Sequence, residues 1–321
     1  MKQSYVRDLT PDHPVRSTYL VQTKERKIAS NGSAYLDLEL RDSSGSIRAK
    51  LWDCDRLNPE FAADDIVQVD GLVEEYRGGL QLKIRKIAKS AEAEIDLRDY
   101  FPRSARDPEE MFAELVARVG RASDGPVRRL LTSVLEDPTM ARGMKLAPAA
   151  TSFHHAFLGG LLEHIVSLVV LADRVCDHYP SLNRDLVLAG IVLHDLGKID
   201  ELGYERGFHY TTRGQLVGHI SIGLEMVQAK MRAIPDFPES LGARIEHIIL
   251  SHHGKLEFGS PKEPAFPEAL VVHYLDDMDS KLESMRAQYA AESEREGDFT
   301  SRNRALGREL LKPESPGNEQ K

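Results

Sequence analysis

The segment Ala34-Tyr-Leu-Asp-Leu-Glu-Leu-Arg41 alternates apolar and polar side chains without a break. Alternation with a period of two residues is typical of a β-strand with one buried face, because successive side chains point to opposite faces. Asp42-Ser-Ser-Gly45 is a turn signal, and Ile47-Arg-Ala-Lys-Leu-Trp52 alternates again. The two segments therefore predict a hairpin whose leucines, together with Ile47 and Ala49, face a common core.

Three further segments complete a five-stranded pattern. A long first strand is predicted for Val15–Ile28, and two more strands for Ile66–Val73 and Leu80–Arg85. Leu57–Ala63 falls between the third and fourth strands, where a five-stranded OB barrel often has its helix. The pattern predicts an OB-fold barrel within residues 1–92, and a generic small β-barrel is the alternative.

From about Asp107 to Ala291 the apolar pattern changes to the helical period. The predicted helices are Asp107–Arg121, Pro126–Glu136, His155–His178, Asn183–Leu196, Gln215–Ala233, Leu241–His252 and Pro267–Tyr289. Aromatic residues around a glycine in Gly203–Thr212 indicate a small hairpin. We therefore expect a multidomain β plus α protein: the barrel, a helical lead-in at residues 93–150, an all-α bundle at residues 151–291, and a tail at residues 292–321 whose end is mobile.

The charge differs between the two regions. The chain of 321 residues has 42 basic and 51 acidic side chains, a net charge of −9, which by itself argues against a nucleic-acid partner. Residues 1–89, however, have 15 basic and 14 acidic side chains, a net charge of +1, and the remainder has a net charge of −10. The acidity therefore belongs to the helical region and does not exclude nucleic-acid binding by the barrel.

Composition excludes several other classes. A hydrophobic content of 41% excludes wholesale disorder. No segment approaches the roughly 20 apolar residues of a membrane span, and the polar segment Met1–Asp12 does not resemble a signal peptide. Cys54 and Cys176 are far apart, so a disulfide framework is not expected. We expect a cytoplasmic protein without a membrane partner, and a homo-oligomer is compatible with the sequence.

The outward face of the barrel has the composition of a single-strand binding surface. If the leucines of the second and third strands point inward, the outward side chains include Tyr35, Arg48, Lys50 and Trp52. Rings that stack on bases, interleaved with cations that pair with phosphates, are typical of such surfaces. The basic segment Arg77–Lys89 adds Lys83 and Arg85. The alternative is that the helical domain covers Trp52 and that the cations are only solvated.

The helical region contains a set of histidines and aspartates that indicates a metal site. The doublet His194-Asp195 lies at the apolar helix end Ile191–Lys198, where an unpaired charge would be costly. Imidazole and carboxylate ligands together suit divalent transition metals. The seven candidate ligands are His164, His194, Asp195, His219, His252, His253 and Asp276. Seven ligands exceed what one ion of four to six ligands requires, which favours two ions.

The two oxygens of Asp195 allow it to bridge two ions. The first ion would bind His164, His194, Asp195 and Asp276, and the second would share Asp195 and add His219 with His252, His253 or both. Asp277 and Asp279 compete with Asp276 for the last position, and spacing alone does not decide among them.

The motif His164…His194-Asp195…Asp276, with Gly197-Lys198 after the doublet, resembles the signature of the HD-domain metal-dependent phosphohydrolases. The wider pattern is similar to the YhaM-type 3′–5′ exoribonucleases, which join an N-terminal OB-fold to an HD domain. The segments that resemble this family are Phe153–His164, Gly218–Ile220, Leu250–Gly254, Gly259–Pro261, His273–Lys281 and Phe299–Gly307. The resemblance favours Asp276 over its two neighbours as the last ligand.

The resemblance implies a metal-dependent hydrolase that removes nucleoside 5′-monophosphates from the 3′ end of single-stranded RNA. No identifiable residue reads the 2′ hydroxyl, so single-stranded DNA stays open as an alternative substrate. Manganese is the expected metal, with iron, cobalt, nickel and zinc as alternatives. Asp195 and Lys198 are the expected catalytic residues, although Lys198 could be only a solvated lysine at a helix end. His154 and His155 are candidates for substrate contact. The alternative functions are hydrolysis of free or cyclic nucleotides by an HD phosphohydrolase, and non-catalytic nucleic-acid binding by a regulator.

Overall fold

The computed structural model describes residues 2–57, 60–76, 78–90, 96, 99–101, 103–150, 157–203, 208–293 and 295–313. The chain divides into two compact units, with the boundary between Arg103 and Ser104. Each unit has its own cluster of buried apolar side chains. Within the described residues, no helix is long and apolar enough to cross a lipid bilayer.

The first unit is a closed five-stranded barrel with the strand order β1-β2-β3-β5-β4. Its strands are β1 (Pro14–Ile28), β2 (Ala34–Asp42), β3 (Gly45–Trp52), β4 (Ile66–Tyr76) and β5 (Gly79–Lys89). Neighbouring strands are antiparallel except for β3 and β5, which are parallel. The predicted OB-type barrel is therefore confirmed.

The register of the β2–β3 hairpin fills the barrel core in the way that the alternation predicts. Leu36, Leu38 and Leu40 lie opposite Leu51, Ala49 and Ile47, and all six side chains are buried. Because side chains alternate along a strand, the intervening residues of both strands point away from the core. This register places Tyr35 directly opposite Trp52 on the outer surface.

The helix of the barrel lies earlier in the chain than predicted. A single turn, α1, spans Cys54–Leu57, and the described residues 60–63 are not helical. Phe61 instead buries its ring in the barrel core. The prediction of a helix over Leu57–Ala63 was wrong.

The second unit is helical. Its helices are α2 (Pro108–Val119), α3 (Gly125–Leu135), α4 (Pro138–Leu146), α5 (Gly160–His178), α6 (Arg184–Leu193), α7 (Lys198–Glu201), α8 (Thr212–Val217), α9 (His219–Ala233), α10 (Glu239–Ser251) and α11 (Pro267–Ala291). The predicted hairpin is present as β6 (Leu202–Gly203) and β7 (His209–Tyr210). Apolar side chains from α2 to α6 and from α9 to α11 form one core.

Several helices begin where short polar side chains cap them. Asp107, Asp124, Asp137 and Asn183 precede α2, α3, α4 and α6, and each side chain accepts a hydrogen bond from a backbone N–H of the first turn. Such caps satisfy donors that have no partner within the helix. These capping residues explain why the helices begin where they do.

The helix boundaries differ from the predictions at two places that matter for the site. α5 begins at Gly160 instead of His155, after Gly159 with φ of +79°, and residues 151–156 lie outside the described part of the chain. The predicted helix Gln215–Ala233 is divided into α8 and α9 by Gly218, whose φ of +76° is in the left-handed region that favours glycine. This division makes His219 the first residue of α9.

The chain after α11 folds back onto the end of that helix. Asn303 Nδ2 donates to Gln288 Oε1 at 2.7 Å, and the backbone N–H of Thr300 donates to the carbonyl of Leu310 at 2.9 Å. The end of the tail, for which mobility was expected, falls in residues 314–321, which lie outside the described residues.

Gly197 lies where α9 approaches the connection between α6 and α7 most closely. A Cβ atom at this position would be 2.0 Å from the carbonyl oxygen of His219 and 2.5 Å from the backbone nitrogen of Gly223. Backbone atoms cannot move aside as a flexible side chain can, so only glycine fits here. The glycine of the segment His194-Asp-Leu-Gly-Lys198 therefore has a packing function.

We predict that Gly197→Ala lowers the free energy of unfolding of the helical unit by about 1–3 kcal/mol, the usual cost of overpacking. Urea unfolding followed by the helical circular dichroism signal measures this loss. Gly125→Ala is the matched control, because a Cβ there meets only the Arg129 guanidinium at 3.6 Å. Equal stability of Gly197→Ala and the unsubstituted protein would contradict the packing argument.

Candidate metal centre and nucleic-acid interface

The seven predicted metal ligands come together in the helical unit, mostly at helix ends. His194 and His252 cap the C-termini of α6 and α10, and His219 begins α9. His164 and Asp276 lie within α5 and α11. The imidazole ring centroids are 5.5 Å apart for His164–His194, 5.0 Å for His194–His252, 5.6 Å for His219–His252, 5.2 Å for His219–His253 and 4.4 Å for His252–His253.

Asp195 lies at the centre of this cluster, and its two carboxylate oxygens face different partners. Oδ2 is 2.6 Å from Lys198 Nζ and 3.3 Å from His194 Nε2. Oδ1 is 3.5 Å from His219 Nε2 and 3.7 Å from His252 Nε2. A carboxylate with this arrangement has one oxygen for each of two neighbouring binding positions.

Two of the imidazoles are oriented by the ends of their own helices. His194 Nδ1 lies 2.8 Å from the carbonyl oxygen of Ile191, and His252 Nδ1 lies 2.8 Å from that of Ile249. A carbonyl oxygen only accepts, so each Nδ1 carries the proton and the lone pair is on Nε2. Both Nε2 atoms point toward Asp195, in the tautomer that a metal ion requires.

The other three histidines also have a partner on Nδ1. His219 Nδ1 is 3.1 Å from Glu201 Oε1, which in addition accepts from the His219 backbone N–H at 2.9 Å. His164 Nδ1 is 2.8 Å from Asp279 Oδ2, and His253 Nδ1 donates to the carbonyl oxygen of Phe258 at 3.0 Å. Such partners fix the ring orientation and raise the basicity of a ligand.

The three neighbouring aspartates of α11 have different surroundings. Asp276 Oδ1 is 3.2 Å from His164 Nε2 and 3.9 Å from His194 Nε2. Asp279 lies on the opposite side of the His164 ring and also accepts from Ser167 Oγ at 2.6 Å, whereas Asp277 pairs with Lys281 at 2.7 Å. Asp276 is therefore the one of the three whose carboxylate faces the Nε2 atoms.

Burial and neighbouring carboxylates shift the pKa values of the cluster in opposite directions. Burial lowers the pKa of His252 and His253, so both rings are neutral at pH 7. Burial also opposes charge on His164, but the hydrogen bonds to Asp276 and Asp279 outweigh it and raise its pKa to about 9. Burial likewise disfavours charge on Lys198, yet the Asp195 carboxylate raises its pKa, which keeps this ammonium group charged.

Unsatisfied polar atoms indicate that the cluster fits a metal. Among the described residues, the buried side-chain atoms without a hydrogen-bond partner include Nε2 of His194, His219 and His252 and Oδ1 of Asp195. Leaving a buried polar atom unsatisfied costs about 1–3 kcal/mol, so four such atoms at one place are unusual in a native protein. Imidazole nitrogen and carboxylate oxygen atoms that face one another are suitable ligands for a divalent transition ion.

The ligand atoms fall into two groups. His164, His194 and Asp195 form one group, and His219, His252 and His253 form the other, with the atoms of each group within 4.8 Å of one another. The first group lacks Asp276 and the second lacks Asp195, so the groups coincide only in part with the two ligand sets expected from the sequence. Asp195 Oδ1 nevertheless lies 3.5 Å from His219 Nε2 of the second group.

A cavity of about 430 Å³ opens beside the cluster. Lys198, His219, His252, His253 and Asp276 contribute to its walls. His273, which the sequence did not single out, also lines the cavity, and its Nδ1 lies 2.7 Å from the carbonyl oxygen of His252. The predicted contact residues His154 and His155 lie outside the described residues.

On the barrel, the predicted aromatic residues form a stacked pair. The ring centroids of Tyr35 and Trp52 are 4.8 Å apart, and Lys50 Nζ lies 5.2 Å and 5.7 Å from them. Tyr76 is a third ring, 5.4 Å from the same ammonium group, which sequence reasoning missed. Tyr76 ends β4, where alternation no longer indicates the face. Trp52 is 38% exposed and Tyr76 is 51% exposed, so both rings are accessible to a ligand.

A groove of about 810 Å³ runs beside these rings and is lined by Arg48, Lys50 and Tyr76, among others. Acidic residues lie opposite the cations: Arg48 pairs in register with Glu39, and Lys50 with Asp37. The predicted contacts Lys83 and Arg85 lie near acidic residues as well, with Glu74 at 3.2 Å and Asp70 at 3.8 Å. The face therefore presents exposed aromatic rings among partly compensated charges.

Comparison with known protein families identifies one family in the barrel and another in the helical unit. Residues 20–89 match the family described as OB-fold nucleic acid binding domain, and residues 161–281 match the HD domain family. The 3′–5′ exoribonuclease YhaM of Bacillus subtilis strain 168 is 40% identical over 298 residues, which cover 92% of this chain and 93% of the relative. The 3′–5′ exoribonuclease YhaM of Bacillus velezensis is 41% identical over 298 residues, which also cover 92% of this chain and 93% of the relative.

The chain belongs to the YhaM family. In this YhaM-family protein, the region that matches the HD domain family includes all seven predicted metal ligands. The region that matches the OB-fold family includes all six predicted residues of the barrel face. The HD domain implies dependence on a divalent metal. The family match thus coincides with the two places where the structure concentrates polar and aromatic side chains.

Sequence reasoning missed two residues that orient candidate ligands of this YhaM-family site, Ser167 and Glu201, and considered Asp279 only as an alternative ligand. Ser167 and Asp279 follow His164 and Asp276 by three positions, so the helical period places them on the same faces. The helical period could therefore have indicated from the sequence that these two residues lie beside the candidate ligands. Glu201 offers no such signal, because its contact with His219 depends on how α7 meets α9.

We predict that Glu201→Gln lowers the affinity of this YhaM-family protein for a divalent ion by about 10- to 100-fold, the usual effect of removing the outer partner of a metal-binding histidine. Competition with a coloured chelator measures the affinity. Asp200→Asn is the matched control, since its carboxylate is half-exposed and pairs with Arg213 at 3.6 Å. Equal affinities of the two variants would contradict the assigned function of Glu201.

Proposed function

We propose that the protein is a metal-dependent 3′–5′ exoribonuclease that hydrolyses single-stranded RNA to nucleoside 5′-monophosphates. The observation that carries this proposal is the buried group of unsatisfied His and Asp atoms beside a cavity that Lys198 also lines. The relatives that carry the name 3′–5′ exoribonuclease are similar over nearly the whole chain, so both units are shared with them. The 3′-to-5′ direction is taken from those relatives.

The ligand set supports two divalent transition ions. We propose His164, His194, Asp195 and Asp276 for the first ion, and Asp195, His219, His252 and His253 for the second. Five imidazoles favour manganese, iron, cobalt, nickel or zinc over magnesium or calcium, and manganese is our first choice. When bound, the ions lower the pKa of water to supply a nucleophile and stabilise charge on the phosphate.

The protein's own residues have distinct functions in the proposed hydrolysis. Water adds to phosphorus, the bond from phosphorus to the 3′ oxygen of the preceding nucleotide breaks, and that oxygen takes a proton to become the new 3′ hydroxyl. The two carboxylate oxygens of Asp195 face the two groups of candidate ligands, so this residue would take part in both. Lys198 Nζ, only partly exposed and held charged by Asp195, is placed to pair with a non-bridging phosphate oxygen, where negative charge increases.

The barrel provides an RNA-binding surface in this proposal. The stacked Tyr35 and Trp52 rings and the neighbouring Tyr76 offer faces on which successive bases can stack, with Arg48 and Lys50 beside them. Stacking contributes about 1–3 kcal/mol per base and tolerates any sequence, which suits an enzyme that degrades a strand stepwise. We expect single-stranded DNA to bind the same face, since stacking does not require the 2′ hydroxyl.

The cysteines support a cytoplasmic location. Cys54 and Cys176 are both free and buried. Free thiols are typical of proteins that function in a reducing compartment.

We predict that Asp195→Asn reduces hydrolysis of single-stranded RNA to the level of the metal-depleted protein, because the amide removes the bridging charge while keeping the shape. With manganese added, RNA labelled at its 5′ end should give a shortening ladder in the unsubstituted protein, and RNA labelled at its 3′ end should release the labelled mononucleotide first. Circular dichroism checks that the variant is folded, and Asp200→Asn serves as the matched control. Full activity of Asp195→Asn would contradict the proposed mechanism.

We predict that Trp52→Ala weakens binding of single-stranded RNA by about 1–3 kcal/mol, the contribution of one stacked base. Fluorescence anisotropy of a labelled oligonucleotide measures the affinity, with EDTA present to prevent cleavage. Trp52→Phe retains a ring and should recover most of the loss. Lys86→Ala removes a cation of the same strand region that lines a different surface depression with Arg16, and should have little effect. If Trp52→Ala and Lys86→Ala weaken binding equally, the assigned face is wrong.

A further inference from the structure

Two exposed aromatic rings line the cavity beside the His–Asp cluster. Tyr210 is 47% exposed and Phe258 is 59% exposed, and both line the cavity that His219, His252 and His253 also line. Exposed large rings next to polar side chains create a surface that is apolar on one side and charged on the other. This combination matches a nucleotide, which has a flat base at one end and a phosphate at the other.

Phe258 is connected through its backbone to the metal cluster. It ends the short turn Leu256–Phe258, and its carbonyl oxygen accepts the hydrogen bond from His253 Nδ1 at 3.0 Å. Its backbone N–H donates to the carbonyl of Lys255 at 3.0 Å, and Gly259 follows with φ of +84°, a conformation that favours glycine. The backbone from which the Phe258 ring projects is therefore held beside His253.

Tyr210 is connected to the cluster from the other direction. It lies on β7 opposite Leu202 of β6, the residue that follows Glu201. The backbone N–H of Thr211 donates to the carbonyl of Glu201 at 2.9 Å, and the Glu201 side chain holds His219. Each ring is thus one or two hydrogen bonds away from a predicted metal ligand, on an element that also orients that ligand.

We propose that Tyr210 and Phe258 form a base-binding subsite, which stacks the 3′-terminal base of the strand while the adjacent phosphodiester lies at the His–Asp cluster. This inference rests on the proposed exonuclease function and names the part of the substrate that the cavity holds. Stacking on ring faces is independent of base identity, so the subsite accepts all four nucleotides. The cavity of about 430 Å³ lies within the range of roughly 300–1,000 Å³ that is typical of small-molecule sites.

The test compares two substrates in the full-length, manganese-loaded protein. One is a single-stranded RNA with a normal 3′-terminal nucleotide, and the other is the same RNA with an abasic 3′-terminal residue. Single-turnover release of the first residue gives two rate constants, and their ratio is the measured quantity. We expect the unsubstituted protein to favour the base-bearing end by about 5- to 150-fold, the factor that corresponds to about 1–3 kcal/mol of stacking.

The variants assign this preference to the two rings. In Tyr210→Ala with Phe258→Ala the ratio should fall to nearly 1, whereas Tyr210→Phe and Phe258→Tyr should retain it. Leu256→Ala is the matched control, because Leu256 is equally exposed on the same turn but is not aromatic. If the double alanine variant keeps the ratio, or slows both substrates by the same factor, the subsite does not exist.

A second measurement separates failure of the subsite from failure of the exonuclease proposal. If the unsubstituted protein releases no residue from either RNA, the proposed function fails, and calorimetry then tests the subsite alone. Adenosine 5′-monophosphate should bind more tightly than ribose 5-phosphate, and the double alanine variant should lose this difference. Equal affinities of the two compounds for the unsubstituted protein would overturn the subsite independently of any hydrolysis.

Discussion

Asp195 keeps an ionised carboxylate almost completely buried, and the rest of the helical unit is arranged around that charge. Burial alone would raise its pKa, but Lys198 and His194 outweigh burial and hold the pKa well below its usual range. An uncompensated buried charge costs several kcal/mol, so the fold is stable only if cationic or metal partners surround this group. His194 and Lys198 come from the same segment of the chain as Asp195, whereas the further partners His219 and His252 lie at the ends of α9 and α10.

Close packing one turn before the ligands brings those helix ends together. A Cβ atom on Gly190 would lie 2.8 Å from a methyl group of Ile248 and 2.9 Å from one of Val272. The absence of a side chain at Gly190 therefore allows α6 to pack closely against α10 and α11. His194, His252 and Asp276 each follow one of these three residues by four positions, which is about one helical turn. The apolar contact therefore fixes the separation of three predicted metal ligands that are not part of the contact themselves.

The sequence predicted the parts of this arrangement that depend on local periodicity. Alternation identified the strands, and the residue types at the helix ends predicted the candidate ligands that the fold brings together. The choice of Asp276 over Asp279 could not be made by spacing, since both lie on the same helix face and differ only in the side of the His164 ring that they approach. The helix break at Gly218, the function of Glu201 and the position of Tyr76 depend on contacts between distant segments, which periodicity does not describe.

Phosphate pairing and base stacking would contribute differently to the binding of RNA. The helical unit has an acidic sequence, so its own side chains would repel RNA, and the proposed ions supply positive charge only at the cleavage point. On the barrel, Glu39 and Asp37 lie opposite Arg48 and Lys50, which weakens phosphate pairing there as well. Exposed rings occur at both places, so affinity would come mainly from contacts with bases instead of phosphates. A strand held in this way can move by one nucleotide at a time, because each base that leaves a ring is replaced by an equivalent one.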